Sequence, residues 1–398
     1  MAIMQNDFNS LPSESPQSDK TPLLRKSGVQ TLISSLLCII LGLFVGYLAL
    51  LIIEPSGAWG AILGVLKNFL KYPSAAARIK YLGNTFVKTA PLLLCSLSVL
   101  FAYKVGLFNI GAAGQYVIGA AAALYCALIP GLPWYVCLLA AIAAAAVSGA
   151  ICGALRAYCN VNVVISGIML NWISLYATNL ILKPGMDPTG KDTYRLVKLG
   201  HTQSILPTLG LDELFSKNQY VTIAIPIAVL IAILIWIVLD KTKFGYELKA
   251  TGNNLHAAKY CGMKENRNII LSMVIAGALA GLGAGLYFLS DFEQWNVNSS
   301  SVPAMGFNGI AAAFLGGLHP IGAIFSSFFI QHITLGGGNV DLSHYCAQIA
   351  DFISAVIIYL CGFVLFFKAT MNRSLDKREE KRMHKAAQAS ERKKGGDK

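Results

Sequence analysis

The sequence predicts an all-α polytopic membrane protein of about ten transmembrane helices, in two related halves with broken or re-entrant segments. Three observations carry that expectation. The 398-residue chain is 55% hydrophobic and only 13% charged. Its apolar residues are gathered into runs of about 20, the length that crosses a bilayer as helix. Much of its net charge of +12 sits outside those runs, in the tail after Phe367 and in the loop of residues 240–267. Basic segments beside membrane spans report orientation rather than a polyanionic ligand, so no nucleic-acid partner is expected.

Residues 1–28 are polar and Ser/Pro-rich and lack the basic start and short apolar core of a cleavable signal. They read as a disordered cytoplasmic tail. Residues 29–368 form the transmembrane domain, with candidate spans at 29–53, 82–103, 107–129, 133–156, 163–182, 220–239, 269–289, 304–317, 320–335 and 346–368. The segments "AMGFNGIAAAFLGG" and "IGAIFSSFFIQHIT" are too short to cross alone, so they are expected to be tilted, broken or re-entrant. Residues 54–81 are too polar to cross and are placed on the outer surface, and the loop 183–219, with Pro184, Pro188 and Pro207, is expected to form a small cap.

Orientation follows from Lys and Arg. The tail 369–398 is strongly basic, and the 240–267 loop carries Lys241, Lys243, Lys249, Lys259, Lys264 and Arg267. Both are expected in the cytoplasm, and an even number of spans puts the N-terminus there too. This leaves Lys67, Lys71, Arg78, Lys80, Lys183, Lys191, Arg195 and Lys198 on the outer side, in loops long enough for the rule to weaken.

Two stretches about half a chain apart echo each other: "FNIGAAGQ" from Phe108 and "FNGIAAAF" from Phe307. Glycine lets a helix break, and the freed backbone groups are tolerated in a bilayer only where buried in protein or facing a water-filled cavity. Paired breaks of this kind line the path in many transporters. Asn109, Gln115 and Asn308 can satisfy such backbone groups or a polar solute; interhelical hydrogen bonding is the other role open to them. In "GALAGLGAG", Gly277, Gly281 and Gly285 recur every fourth residue and read as a close-packing face, as does the run "LLAAIAAAAVSGAICGAL".

The spans hold few titratable groups, Lys88, His332 and Asp351 being the clear cases, and these form no nucleophile–base pair or metal set. The cysteines form no C-x-x-C or Cys/His cluster and read as small hydrophobes, so no metal is expected. An enzyme is not expected. No G-x-x-x-x-G-K-[ST] is present, so any ATP would be bound by a partner subunit, and no cofactor is expected on this chain.

The loop "KTKFGYELKATGNNLHAAKYCGM" contains a short helical pattern from Asn254 to about Cys261, with Asn253 or Asn254 as N-cap and Leu255, Ala258 and Tyr260 as docking contacts. Such a helix could lie on lipid head groups or receive a motor. The loop resembles the coupling loop of ABC importer permeases, in the variant of the nucleoside-type and simple-sugar uptake systems. "GLFNIGAAGQYVIGA", "VNVVISGIMLNWISLYATNLIL" and "GFNGIAAAFLGGLHPIGAIF" match the same family in the same order, so the resemblance covers about residues 30–368.

That resemblance implies a ten-helix permease of the bacterial plasma membrane, working with a second homologous permease, a cytoplasmic ABC ATPase and a substrate-binding lipoprotein. It implies ATP-driven uptake of a nucleoside or related ribose-containing solute, with a simple sugar or riboflavin as alternatives. An ion-coupled secondary carrier, using Asp351, is the reading from another class. Carried onto this sequence, the solute path takes Asn109, Gln115, Asn171, Phe307 and Asn308, and the ATPase-coupling helix takes Gly252, Asn253, Ala257, Ala258, Tyr260 and Gly262. Two departures stand out. Ala113 occupies a position where an acidic residue is usual, and Lys249 one where Arg is common, which keeps the charge but not the planar fork.

Overall fold

The computed structural model describes residues 27–188 and 190–339, with short stretches between 352 and 381. Nearly all of the 1–28 tail, residues 382–398 of the basic tail, and much of the expected last span, Asp351 included, lie outside the described residues.

The order of helices is α1 (Ser27–Ile53), α2 (Ala58–Lys67), α3 (Ala75–Tyr103), α4 (Ala112–Leu128), α5 (Trp134–Cys159), α6 (Val163–Leu182), α7 (Leu211–Leu214), α8 (Ala224–Lys241), α9 (Lys243–Asn253), α10 (Leu255–Tyr260), α11 (Glu265–Phe288), α12 (Ala304–Leu315) and α13 (Pro320–Gly336). Among the described residues, α1, α3, α5, α6, α8 and α11 are long and apolar enough to cross a membrane, and α4 and α12 are shorter apolar helices. The chain is thus an all-helical, multi-pass membrane protein.

Its centre is the pair α5 and α11, joined by α3 and α4. Between membrane helices there is little hydrophobic driving force, so close approach of backbones supplies the attraction. The glycine face of α11 does this. Gly277 and Gly281 lie directly on the carbonyl oxygens of Ala145 and Ala141, and a Cβ on Gly285 would stand 2.7 Å from Leu138 Cδ1. The four-residue spacing is therefore helix packing, as the sequence suggests.

Residues 54–81 differ from a simple surface loop. They hold α2, and α3 begins at Ala75 rather than near residue 82. Its polar first turns are fixed locally, where Arg78 Nε donates to Tyr72 O at 2.6 Å and the Tyr72 and Tyr81 rings stack 3.8 Å apart. Hydropathy cannot register a helix that starts before its apolar stretch. α2 packs on the end of α13, where Gly336 meets the Val65 carbonyl.

The segment before α4 folds back. Leu107 N donates to Ala102 O (3.1 Å), and Asn109 Nδ2 to Ser98 Oγ (3.3 Å), so α4 starts alongside the body of α3 rather than beyond its end. α12 and α13 form an antiparallel hairpin closed at Gly316–His319, with Ser326 Oγ donating to Ala312 O at 2.6 Å. Its turn lies on the face that carries α9 and α10, since His319 approaches Asp240 at the end of α8. On the opposite face, residues 183–219 cross the ends of α4, α5 and α11. Thr193 N donates to Trp295 O (2.8 Å), Leu206 N to Leu289 O (3.0 Å) and Ser204 Oγ to Leu132 O (2.6 Å).

Candidate functional site: two broken segments and a docking loop

The fold-back brings three of the five expected path residues together. Asn109 Nδ2 donates to Gln115 Oε1 at 2.9 Å. Asn171 comes across from α6: its Oδ1 accepts Gly114 N at 2.7 Å, and its Nδ2 donates to Ile110 O at 3.2 Å. All three amides are buried. One of the N–H groups that α4 leaves unpaired at its start, that of Gly114, is thus supplied with a side-chain acceptor, which is what a helix end inside a bilayer requires.

Phe307 and Asn308 are placed differently. They lie on α12, whose face of Gly306, Gly309 and Ala312 is buried, while Phe307 is 38% exposed and Asn308 half-buried. The two echoing segments nevertheless meet. Gly306, in the first turn of α12, lies directly on Ala113, in the first turn of α4; a Cβ on Gly306 would overlap the Ala113 Cα and stand 2.7 Å from its Cβ. Two helix N-termini, each carrying a partial positive charge, therefore converge with only Ala and Gly between them. A longer side chain at 113 would have to displace α12.

A polar group that the sequence reading did not assemble lies near the far end of α11. Lys88 Nζ is 3.7 Å from Glu293 Oε2 and 5.6 Å from the centre of the Phe292 ring, and Tyr287 Oη donates to the same carboxylate. Glu293 belongs to a short polar loop with no motif. The available signal was Lys88 itself, because a lysine inside a span calls for an acid within reach.

The loop expected to couple to an ATPase holds two helices, α9 and α10. Thr242 Oγ1 caps α9 by accepting Gly245 N (3.1 Å), and Asn254 Oδ1 caps α10 by accepting Ala257 N (3.0 Å). The six expected coupling residues divide into two sets. Asn253, Ala257, Tyr260 and Gly262 are exposed, with Tyr260 at 94%, whereas Ala258 is buried against its own chain and is not available as the docking contact expected of it. Gly252 turns inward onto the backbone after α3. A Cβ there would overlap Lys104 O and come within 2.9 Å of Val105 C and 3.0 Å of Gly106 N. Gly106 has φ +75°, a conformation natural to glycine, and packs back on the Gly252 carbonyl. The same turn leads directly to Asn109.

Four charged or titratable groups surround this junction. Lys249 Nζ, on α9, is 2.5 Å from Asp240 Oδ1, and His319 Nε2 is 3.9 Å from Asp240 Oδ2, with Lys104 close enough to act on both His319 and Asp240. His319 also caps α13, its Nδ1 accepting Ile321 N at 3.3 Å, which only an unprotonated Nδ1 can do. Burial, first of all, lowers the His319 pKa; Asp240 opposes this and Lys104 and Lys249 add to it. A histidine depressed in the folded state contributes stability that is complete above the ordinary value of 6.5 and is lost as pH falls below it. Thermal unfolding in detergent is expected to show that loss, and His319→Asn, which keeps a capping acceptor, to flatten it. An identical pH profile in the variant would remove His319 as the cause.

The family described as "Branched-chain amino acid transport system / permease component" matches residues 81–362. The guanosine ABC transporter permease protein NupP of Bacillus subtilis (strain 168) is 33% identical over 342 residues, covering 82% of this chain and 92% of its own. The nucleoside ABC transporter permease protein NupB of Lactococcus lactis subsp. cremoris (strain MG1363) is 32% identical over 335 residues, 81% and 88% of the two chains. The guanosine ABC transporter permease protein NupQ of B. subtilis is 30% identical over 297 residues, 70% and 90%. No solved structure matches.

Proposed function

The chain belongs to the branched-chain amino acid transport system permease-component family, a family of transport subunits rather than enzymes, and on that premise we propose that it forms half of the path of an ATP-driven nucleoside importer. The observation that carries the solute class is the similarity, over about four-fifths of the chain, to permeases named for guanosine and nucleosides. As an ABC permease it works with an ATPase and a substrate-binding protein. We further assign it ten crossings, a second homologous permease as the other half of the path, and an orientation with α9, α10 and both termini in the cytoplasm.

The contact between Gly252 and the Lys104–Gly106 turn supports a mechanical route. The ATPase holds the exposed residues Asn253, Ala257, Tyr260 and Gly262. Movement of α9 presses, backbone on backbone, on the turn that leads to Asn109. The amide cluster of Asn109, Gln115 and Asn171 then carries that movement to the start of α4, and through Ala113 and Gly306 to α12. Phe307 and Asn308, on the open side of α12, meet the solute: a ring stacks on a base, and an amide pairs with base edges or hydroxyls. Asn109, Gln115 and Asn171 would have to break hydrogen bonds to do so, which suits them to holding the path rather than touching the solute.

Labelled guanosine and uridine uptake tests the function, in cells carrying this gene with those of its partners. Uptake should survive an uncoupler while ATP is preserved, and stop when ATP is depleted. Uptake that collapses with the ion gradient while ATP is intact would mean a secondary carrier. Tyr260→Ala tests the docking assignment. An exposed tyrosine at an interface centre contributes on the order of 1–2 kcal/mol, so ATPase affinity is expected to fall about tenfold with thermal stability unchanged. Unaltered association would place the contact elsewhere.

A further inference from the structure

A groove of about 900 Å³ runs between α1, α8 and the α12–α13 hairpin. Its walls are Leu36 and Ile39 of α1, Trp236 of α8, and Phe325, Phe328 and Phe329 of α13. Its rim, at Gly28, the Gly316–His319 turn and Lys368, is on the face of the docking helices.

From Gly28 to Ile39 the groove follows α1 for about 16 Å, at 1.5 Å per residue. That is about half the ~30 Å thickness of a bilayer's hydrocarbon core. The groove is therefore one leaflet deep, apolar along its walls, and marked by a cation at head-group level. The hydroxyl protons in it are already used: Ser35 Oγ donates to Leu315 O and Ser326 Oγ to Ala312 O, both at 2.6 Å. A nucleoside, which needs several partners for its hydroxyls and base edges, finds few polar groups on such walls. Asp240, which approaches His319 at the rim, is paired with Lys249 and so repels an incoming anion weakly. In the sequence, Arg373 and Lys377 follow Lys368 on the same segment.

We propose that this groove binds a phospholipid with an anionic head group, drawn from the leaflet on the docking face. Its acyl chains lie against Ile39, Trp236, Phe325 and Phe329, and its phosphate sits at Lys368. Acyl chains gain little by moving from bilayer to protein, so the chains are held by shape and the preference between lipids comes from the head group. The bound lipid also touches the Gly316–His319 turn, and so steadies the hairpin that carries Phe307 and Asn308. The proposal is independent of which solute is carried.

The test is native mass spectrometry of the whole transporter complex, reconstituted in equal parts phosphatidylglycerol and phosphatidylcholine and then progressively stripped of lipid. The wild-type complex is expected to keep phosphatidylglycerol at a saturable site in preference to phosphatidylcholine. Lys368→Gln is expected to lower that preference about fivefold, the equivalent of one lysine near a membrane surface. Ile39→Trp, which fills the groove, is expected to reduce retention of both lipids with the complex still assembled, and Leu36→Trp serves as a second filling variant. Equal retention of the two lipids by the wild type, an unchanged ratio in Lys368→Gln, or full retention in both tryptophan variants would overturn the proposal. Displacement of the retained lipid by added guanosine would also overturn it, by marking the groove as a solute cavity.

Discussion

Gly252→Leu is expected to reduce energised uptake by at least about tenfold while the subunits still assemble. A single added carbon overlaps the Lys104 carbonyl and presses on Val105 and Gly106, all main-chain atoms with no rotamer to change. Overpacking of this kind costs about 1–3 kcal/mol, and the strain falls on the turn that leads to the amide cluster. Because Gly252 faces inward, whereas Asn253, Ala257 and Tyr260 face out, ATPase binding should persist and only its connection to transport should fail. The measurement is ATP hydrolysis and uptake on the same reconstituted preparation: hydrolysis that no longer responds to solute and its binding protein, with uptake lost, is the expected pair. Gly252→Ala is the graded case, intermediate in both. Normal uptake in Gly252→Leu would mean that the contact carries no motion.

Gly306→Leu is the second large effect. Here the added side chain meets Ala113, and the starts of α4 and α12 must separate. Stability is expected to fall by about 1–3 kcal/mol, and uptake by more than that loss of folded protein explains, since Phe307 and Asn308 move with α12. The milder Gly306→Ala supplies a control: its added carbon meets the Ala113 main chain as well as its methyl group, so Ala113→Gly is expected to give little relief. Full recovery in the double variant would show that the methyl group alone sets the spacing of the two helices.

The amide cluster illustrates how far the sequence could be followed. Asn109 and Gln115 stand six residues apart around Gly111 and Gly114, and a broken helix with side chains at hand to satisfy it was legible from that alone. Asn171 came only through the family resemblance, and its contact with Gly114 at the start of α4 was not legible, because it arrives from α6, across 57 residues. Burial separates these amides from Phe307 and Asn308, although all five lie in similar apolar contexts in the sequence. The loop of α9 and α10 divides in the same way: local chemistry narrowed its N-cap to Asn253 or Asn254, while the choice of Asn254 and the inward turn of Gly252 and Ala258 needed the structure.

What the sequence determined by itself is local and periodic. Apolar runs of bilayer length marked candidate spans, small residues marked close-packing faces on α5 and α11, and glycine with amide residues marked the breaks, because each is a property of one segment in its solvent. What only the tertiary structure decided is which segments meet. The contacts of Gly306 with Ala113, of Gly252 with Lys104–Gly106, and of Lys88 with Glu293 join residues roughly 150 to 200 positions apart. A glycine is chosen at such a place by the atoms opposite it, and those atoms leave no trace in the glycine's own neighbourhood.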